Sequence, residues 1–393
     1  MEKMEMKQKL LFVINNLNVG GSEKALISLL NELDYTKFEV DLQLFKKEGL
    51  FLNDLPAEVN LLPVPKSYRY FDGSFKKALR TLNLNLIFNR YKFSQIRKVA
   101  FSGGEAEQLG WKYLSKTFRI LDKKYDVAIG YLEKNPNYFV VDKVQAKTKI
   151  GFIHNDYSKI DVNSDIDRLY FDKLNYICSV SEHCVHILKE YFPSQSQKIK
   201  LIPNLFSEKL ILKKSEEEIT EIEFDKNECN ILSVGRLAEQ KGFDLAIDTA
   251  FLLKERGFKF KWFILGEGSL RKLFEEKIEK LNLESYFFLL GNHTNPYKFM
   301  KNADLILQTS RFEGKSIAID EAKLLNKIIV VTNYPTVKDQ ITHNVDGCIS
   351  SFASSDIADQ IVSVYYDKEL KNNLQNYLEN NRLQNENKLL ELF

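Results

Sequence analysis

No apolar run of about 18 residues, the length that would mark a membrane-crossing helix, occurs in this 393-residue chain. The longest apolar stretch near the amino terminus, Leu10–Ile14, is too short for the core of a signal peptide. Cysteine is also scarce: Cys178, Cys184, Cys229 and Cys348 are scattered with no CxxC pair, which suits a reducing compartment and argues against a disulfide or zinc framework. These absences lead us to expect a cytoplasmic protein without transmembrane helices. Net charge is small, +2 with 28% charged residues, so no strong global attraction to nucleic acid is expected. No repeat relates the two halves. The 44% hydrophobic content, at this length, is enough for two or more domain cores.

Short apolar runs alternate with helical patterns along most of the chain. "KLLFVIN", "FEVDLQLF", "DVAIGYL", "KTKIGFIH", "NYICSVS" and "KIKLIPN" read as strands of a first domain, residues 1–205. "NILSVG", "FKWFILG", "YFFLLG", "DLILQTS" and "KIIVVTN" read as strands of a second, residues 229–366. Between them, 206–228 is rich in charge and reads as a linker, and 367–393 reads as a helical tail. Such alternation implies an α/β fold with parallel sheets covered on both faces, here two Rossmann-like doubly wound domains facing an interdomain cleft. Ligands in such sheets sit beyond the carboxyl ends of the strands.

Several strand ends carry residues suited to an anion. Arg236 and Lys241 follow "NILSVG", where a guanidinium fork and an ammonium would suit a diphosphate; a solvated basic loop is the plain alternative. Gly20 and Gly21 lie between a strand and a helix, where glycine lets amides approach an anion, or where a tight turn simply needs it. Gly266 and Gly268 form a lone GxG, more often a turn than a phosphate cradle. Glu313 and Gly314 end the "DLILQTSRFEG" stretch, with Ser316 as a helix N-cap, so that the amides of Lys315, Ser316 and Ile317 would face whatever fills the cleft. Glu321 shares an apolar stripe with Ile317, Ala318, Leu324 and Leu325. A carboxylate there is at the wet end, paired, or waiting for a ligand. It lies about 7.5 Å beyond the helix tip, a separation that suits phosphate at the tip and a ribose diol at the carboxylate.

Taken in order, "GGSEKAL", "IGFIHND", "SVSE", "KIKLIPN", "GRLAEQKG" and "FEGKSIAIDEA", with its Glu-x7-Glu spacing, resemble glycosyltransferase family 4 over nearly the whole chain. The resemblance implies the GT-B fold and a retaining, nucleotide-sugar-dependent transferase, most like those that build bacterial capsule and surface polysaccharides. It implies that Arg236 and Lys241 bind the donor diphosphate, Glu321 the ribose, Glu313 the transferred sugar and His154 the sugar and reacting centre. It further implies that Gly21 lets the first-domain loop reach the phosphates and that Asn292 lies where the base is recognised. Gly314, Lys315, Ser316 and Ile317 complete the expected donor contacts, although Lys315-Ser316-Ile317-Ala318 replaces the usual Phe-Gly-Leu-Pro. A UDP-sugar donor and a glycan acceptor on a lipid carrier are expected, with no cofactor and no metal. A GT-B nucleotide-sugar epimerase or hydrolase, and a non-catalytic membrane-associated glycan-binding protein, are the alternatives.

Two histidines and two aspartates invite a metal reading. Asp165 and Asp167 mimic a DxD motif but lie at an expected helix start, where aspartate favours the helix dipole, and His183 and His186 share a helix face with no third ligand nearby. Residues 66–119 differ from the rest, with twelve basic and three acidic residues interleaved with aromatics. That composition suits an anionic membrane surface, on which the protein would sit peripherally, or a solvated helical excursion over the first domain; RNA suits it less.

Overall fold

Residues buried on both faces of a sheet read as continuous apolar runs, and the strands of this protein do so. The computed structural model describes residues 7–18, 20–73, 75–382 and 387–393, without the side chain of Arg97, one of the twelve basic residues of the 66–119 segment. The chain divides into two units, one running to Asn18, then from Ser22 to Pro203, and including Asn387–Phe393, the other holding Gly20 and Gly21 and the chain from Asn204. The first holds strands β1 (Gln8–Ile14), β2 (Phe38–Leu44), β3 (Asn60–Leu61), β4 (Lys124–Gly130), β5 (Gln145–Ile153), β6 (Tyr176–Ser179) and β7 (Ile199–Leu201). They form one parallel sheet in the order β3-β2-β1-β4-β5-β6-β7.

The second unit holds β8 (Cys229–Val234), β9 (Phe260–Leu265), β10 (Phe287–Gly291), β11 (Leu305–Gln308), β12 (Ile328–Thr332) and β13 (Cys348–Ser350), all parallel, in the order β10-β9-β8-β11-β12-β13. In both sheets the strand order reverses beside the first strand, between β1 and β4 and between β8 and β11. Such reversals open a crevice at the strand carboxyl ends of each sheet. Alternate residues feed opposite cores: Ile328 and Val330 join one cluster, Ile329 and Val331 the other.

The structure departs from the sequence reading at two short edge strands, β3 and β13, which are two and three residues long and carry too little periodicity to be seen. It departs again at 206–228, expected as a linker. Ser207 caps a helix, Glu208–Ser215, and Phe206 and Ile211 enter the core of the second unit with Ile219, Ile222 and Phe224 packed against it. The charges that suggested a linker face outward and tie down: Lys298 donates to both carboxylate oxygens of Glu221, at 2.9 and 3.0 Å, and draws that carboxyl down to about 2.

Glycine is demanded where the loops after β8, β9 and β11 touch. Gly242 sits at φ +62°, and a Cβ there would come within 2.1 Å of the Thr309 carbonyl oxygen. Gly266 and Gly268 similarly admit the backbone of Gly235 and Leu237, so the GxG is a backbone crossing rather than a cradle. Replacing Gly242 by Ala should therefore lower the stability of the second unit by more than about 2 kcal/mol, from left-handed strain plus the clash. Urea denaturation followed by tryptophan fluorescence of Trp262, buried in this unit, reads it, and an unchanged midpoint would show that the loop relaxes freely.

Candidate active site

β8 ends at Val234 and β11 at Gln308, so the loops that follow these neighbouring strands flank the reversal point of the second sheet. Lys241 lies in the 3-10 turn Glu239–Lys241 and reaches across to Glu313, Nζ to Oε1 2.6 Å. The same Glu313 oxygen accepts from Gln308 Nε2 at 3.0 Å and from Ser310 Oγ at 2.6 Å. Three donors on one buried carboxylate oxygen offset the cost of removing its charge from water. Thr336 Oγ1 also donates to the Glu313 carbonyl, tying in the loop after β12. Glu313 itself is in a loop, five residues beyond the end of β11, not at the end of a strand as the sequence suggested.

Arg236 is exposed. Its Nη2 lies 3.4 Å from Gln240 Oε1, and among the described residues it makes no ion pair. Gln240 Nε2 in turn donates to the Phe312 carbonyl, so the Arg236 and Glu313 loops are joined. Arg311 fastens the same region from the other side through two bonds to Asp244, 2.8 and 2.6 Å, and one to the Glu239 carbonyl. Burial alone would push the Asp244 carboxyl up, but the Arg311 guanidinium outweighs it and holds it below its ordinary value. The result is a held pair, Lys241–Glu313, beside one solvent-facing guanidinium.

The stretch that follows corrects an expectation. The amide of Ser316 does not face an open space: it donates to Gln340 Oε1 at 2.7 Å, and Gln340 Nε2 returns to the Ser316 carbonyl and to Asp320 Oδ1. The Ser316 hydroxyl does not cap the helix but donates to Gln308 Oε1 at 2.6 Å. Gly314 and Ile317 are buried, and Lys315 Nζ lies 3.3 Å from Asp320. Sequence reasoning missed Gln340 because it sits 24 residues away in an unremarkable polar loop. It missed Tyr334 as well. The Tyr334 hydroxyl is buried without a hydrogen-bond partner among the described residues, and burial first, then the Glu313 and Asp320 charges, keep it a neutral phenol.

Glu321 answers its own puzzle. It is 2% exposed on the helix Ile317–Leu324, and its Oε1 accepts from the Tyr297 hydroxyl at 3.0 Å. The carboxylate on the apolar stripe is therefore paired. Asn292 is exposed just past β10.

Gly21 opens the helix Gly21–Asn31, and in the first unit His154 directly follows β5. The His154 ring is buried and stacks on Phe152 at 5.3 Å, while its amide donates to Glu133, which also accepts from Asn155 Nδ2. Lys134 beside Glu133 has φ +66°, a conformation costly for a side-chain-bearing residue. Asp165 and Asp167 do not act together. Asp167 is buried and accepts from the hydroxyls of Tyr138 and Tyr157, while Asp165 is on the surface with Arg168 at 3.2 Å. His183 faces Asp156 and His186 faces Glu190, each at 3.2 Å, so these two rings have separate partners.

Residues 214–381 match the family described as Glycosyl transferases group 1. An uncharacterised glycosyltransferase of Methanocaldococcus jannaschii is 31% identical over 183 residues, 46% of this chain and 44% of the relative, so the matched stretch spans less than half of that protein. The Campylobacter jejuni enzyme named N-acetylgalactosamine-N,N'-diacetylbacillosaminyl-diphospho-undecaprenol 4-alpha-N-acetylgalactosaminyltransferase is 27% identical over 329 residues, 83% of this chain and 81% of its own. Among solved structures, a Staphylococcus aureus TarM variant in complex with fondaparinux, alpha-GlcNAc-glycerol and UDP superimposes with a TM-score of 0.69 at 17% identity, covering 98% of each chain. The fold is GT-B.

The bridge that Gln340 builds can be tested by itself. Gln340→Ala leaves the buried Ser316 amide without its acceptor and should cost about 1–3 kcal/mol of stability. Gln340→Glu keeps an acceptor for that amide but sets a second carboxylate beside Asp320, and should recover only part of the loss. Chemical denaturation of both variants measures it, and equal stability of Gln340→Ala and wild type would show that water replaces the side chain.

Proposed function

We propose that this protein is a retaining transferase that moves a sugar from a UDP-sugar to a glycan acceptor carried on a lipid, in the synthesis of a cell-surface polysaccharide. The observation that carries the proposal is the pairing at the reversal point of the second sheet. There Lys241 is held 2.6 Å from a buried carboxylate while Arg236 stands exposed beside it. A diphosphate arriving there meets one guanidinium that makes no ion pair among the described residues and one ammonium that can turn from Glu313 to phosphate oxygen. The UDP bound to the structural neighbour and the diphospho-undecaprenol acceptor in the name of the Campylobacter relative are consistent with the donor and acceptor classes. The alpha linkage in that relative's name, carried to this chain, is the outcome of retention when the donor's anomeric bond is also alpha.

In this reading the bond from the anomeric carbon to the diphosphate breaks, and the acceptor hydroxyl forms its bond on the same face. Its proton passes to the departing phosphate oxygen. Arg236 and Lys241 stabilise the charge that grows on the diphosphate, the work a divalent ion does elsewhere, and no metal is invoked. Glu313, already saturated at Oε1 by three donors, suits holding sugar hydroxyls better than attacking carbon. Glu321, oriented by Tyr297, takes the ribose, and Asn292 lies beside the base.

Two experiments test this reading. Glu321→Ala should weaken UDP binding by about 1.5–3 kcal/mol, and Tyr297→Phe by less, since it removes only the orienting hydroxyl. Calorimetric titration with UDP decides, and unchanged affinity in a folded Glu321→Ala removes the ribose role. For the diphosphate, Arg236→Ala and Lys241→Ala should each lower kcat far more than they raise the acceptor KM, and the double variant should lose less than the sum of the two. Strict additivity of the two losses would mean they act on different groups. UDP release that proceeds equally well without any acceptor would replace transfer by hydrolysis.

A further inference from the structure

Part of the aromatic signal in 66–119 is core. Tyr68, Phe71 and Trp111 are buried, and the rings of Tyr68 and Trp111 both lie against Phe45. What remains outside forms an ordered surface. The segment folds as helices Lys66–Asp72, Phe75–Leu79, Leu84–Val99 and Gly103–Leu114, of which Leu84–Val99 is the longest. That helix turns Leu86, Asn89 and Ile96 inward. On its outer side Leu84, Phe88, Tyr91 and Val99 are 81%, 55%, 49% and 73% exposed, at spacings of four, three and eight residues that place them on one stripe. At about 100° per residue, Lys92 and Lys98 fall on either side of that stripe.

The flanking turns extend it. Tyr70, Phe75, Leu79, Leu82 and Phe101 are exposed, the last at 98%, and Lys66, Arg69, Lys76, Lys77 and Arg80 are exposed among them. Residues 66–101 hold nine basic residues and one acidic, Asp72, and that carboxylate is paired with Lys46 at 2.9 Å. The whole chain is only +2, so the remainder carries more acid than base. Positive charge is thus concentrated in the segment that bears the exposed apolar stripe, although Arg90 turns inward over the Phe71 and Phe93 rings.

We propose that the outer face of the helix Leu84–Val99, with the turns on either side, seats the protein on an anionic lipid surface. An apolar stripe bordered by lysines matches the two layers of such a surface, acyl chains beneath and phosphate head groups at the rim. The helix lies on the surface rather than through it. Sixteen residues rise about 24 Å, short of the roughly 20 apolar residues a span needs, and among the described residues no helix is long and apolar enough to cross. Electrostatics bring the face down, at about 1 kcal/mol for each basic residue engaged, and insertion of Phe88, Leu84 and Val99 adds a part that salt does not screen. The inference stands apart from the donor chemistry, since it uses no residue of the second unit.

Vesicle sedimentation with the full chain and no substrate tests it. With vesicles of phosphatidylglycerol and phosphatidylcholine at about one to three, wild type should sediment at low salt and partly at physiological salt, and with phosphatidylcholine alone it should stay in solution. Lys76→Glu, Lys77→Glu, Lys92→Glu and Lys98→Glu combined should lower the partition coefficient at least about a hundredfold. Leu84→Gln with Phe88→Gln should leave low-salt binding and abolish what survives salt. All six positions are exposed, and the wild-type comparison of the two lipids does not depend on any variant. Failure of wild type to bind anionic vesicles at low salt would overturn the proposal. So would equal binding to neutral vesicles, tighter binding to single-stranded RNA than to anionic lipid, or a concentration-dependent dimer that the Leu84 and Phe88 changes dissolve.

Discussion

A carboxylate buried at the mouth of a parallel sheet must find its donors within a few ångströms, and Glu313 finds them on two segments while a third holds its backbone carbonyl. Lys241 comes from the loop after β8, Gln308 and Ser310 from the end of β11, and Thr336 from beyond β12 to hold the Glu313 carbonyl. These contacts require the adjacency of β8, β11 and β12 that the sheet provides, and they fix where each loop leaves it. The neighbouring ties have the same character. Arg311 is locked to Asp244, and Gln340 occupies both polar backbone groups of Ser316. Little of the loop is left to adjust except the exposed Arg236 side chain.

Much of this was legible from residue order. Among the described residues, eleven of the thirteen strands are the apolar runs they looked like, since burial on both faces demands such runs, while β3 and β13 are too short to show a period. Arg236, Lys241, Glu313 and Glu321 could be singled out because charge at a strand end or on an apolar stripe is unusual. Their partners could not. Gln340 and Tyr334 look like ordinary loop residues, and only the fold brings them to Ser316 and near Glu313. The Ser316 amide shows the limit most plainly: a helix start in sequence says that an amide needs an acceptor, not that a ligand supplies it.

The charged stretches show a second limit. In 206–228 the acidic run concealed Ile219, Ile222 and Phe224, whose spacing carried the packing. In 66–119 the aromatic residues divide between core and surface according to which side of a helix they occupy. Composition counts both alike. Tyr68 and Tyr70 are two residues apart, and one is buried while the other is exposed.

The strand order of the second sheet also constrains how the chain arrives at it. β8 is made early in that unit but gains its neighbour β11 only after the intervening strands and helices have been laid down. The bonds that join the two, Asn230 to Asp304 and Ser233 to the Leu307 carbonyl, each close 74 residues of chain. Contacts so distant in sequence make folding slow, because the entropy of the closed loop is lost before the pairing returns it. Until then one edge of β8 is an apolar strand with open backbone groups, the surface on which misassembly begins. The loops that carry Lys241 and Glu313 can thus meet only once 72 residues of chain have been closed.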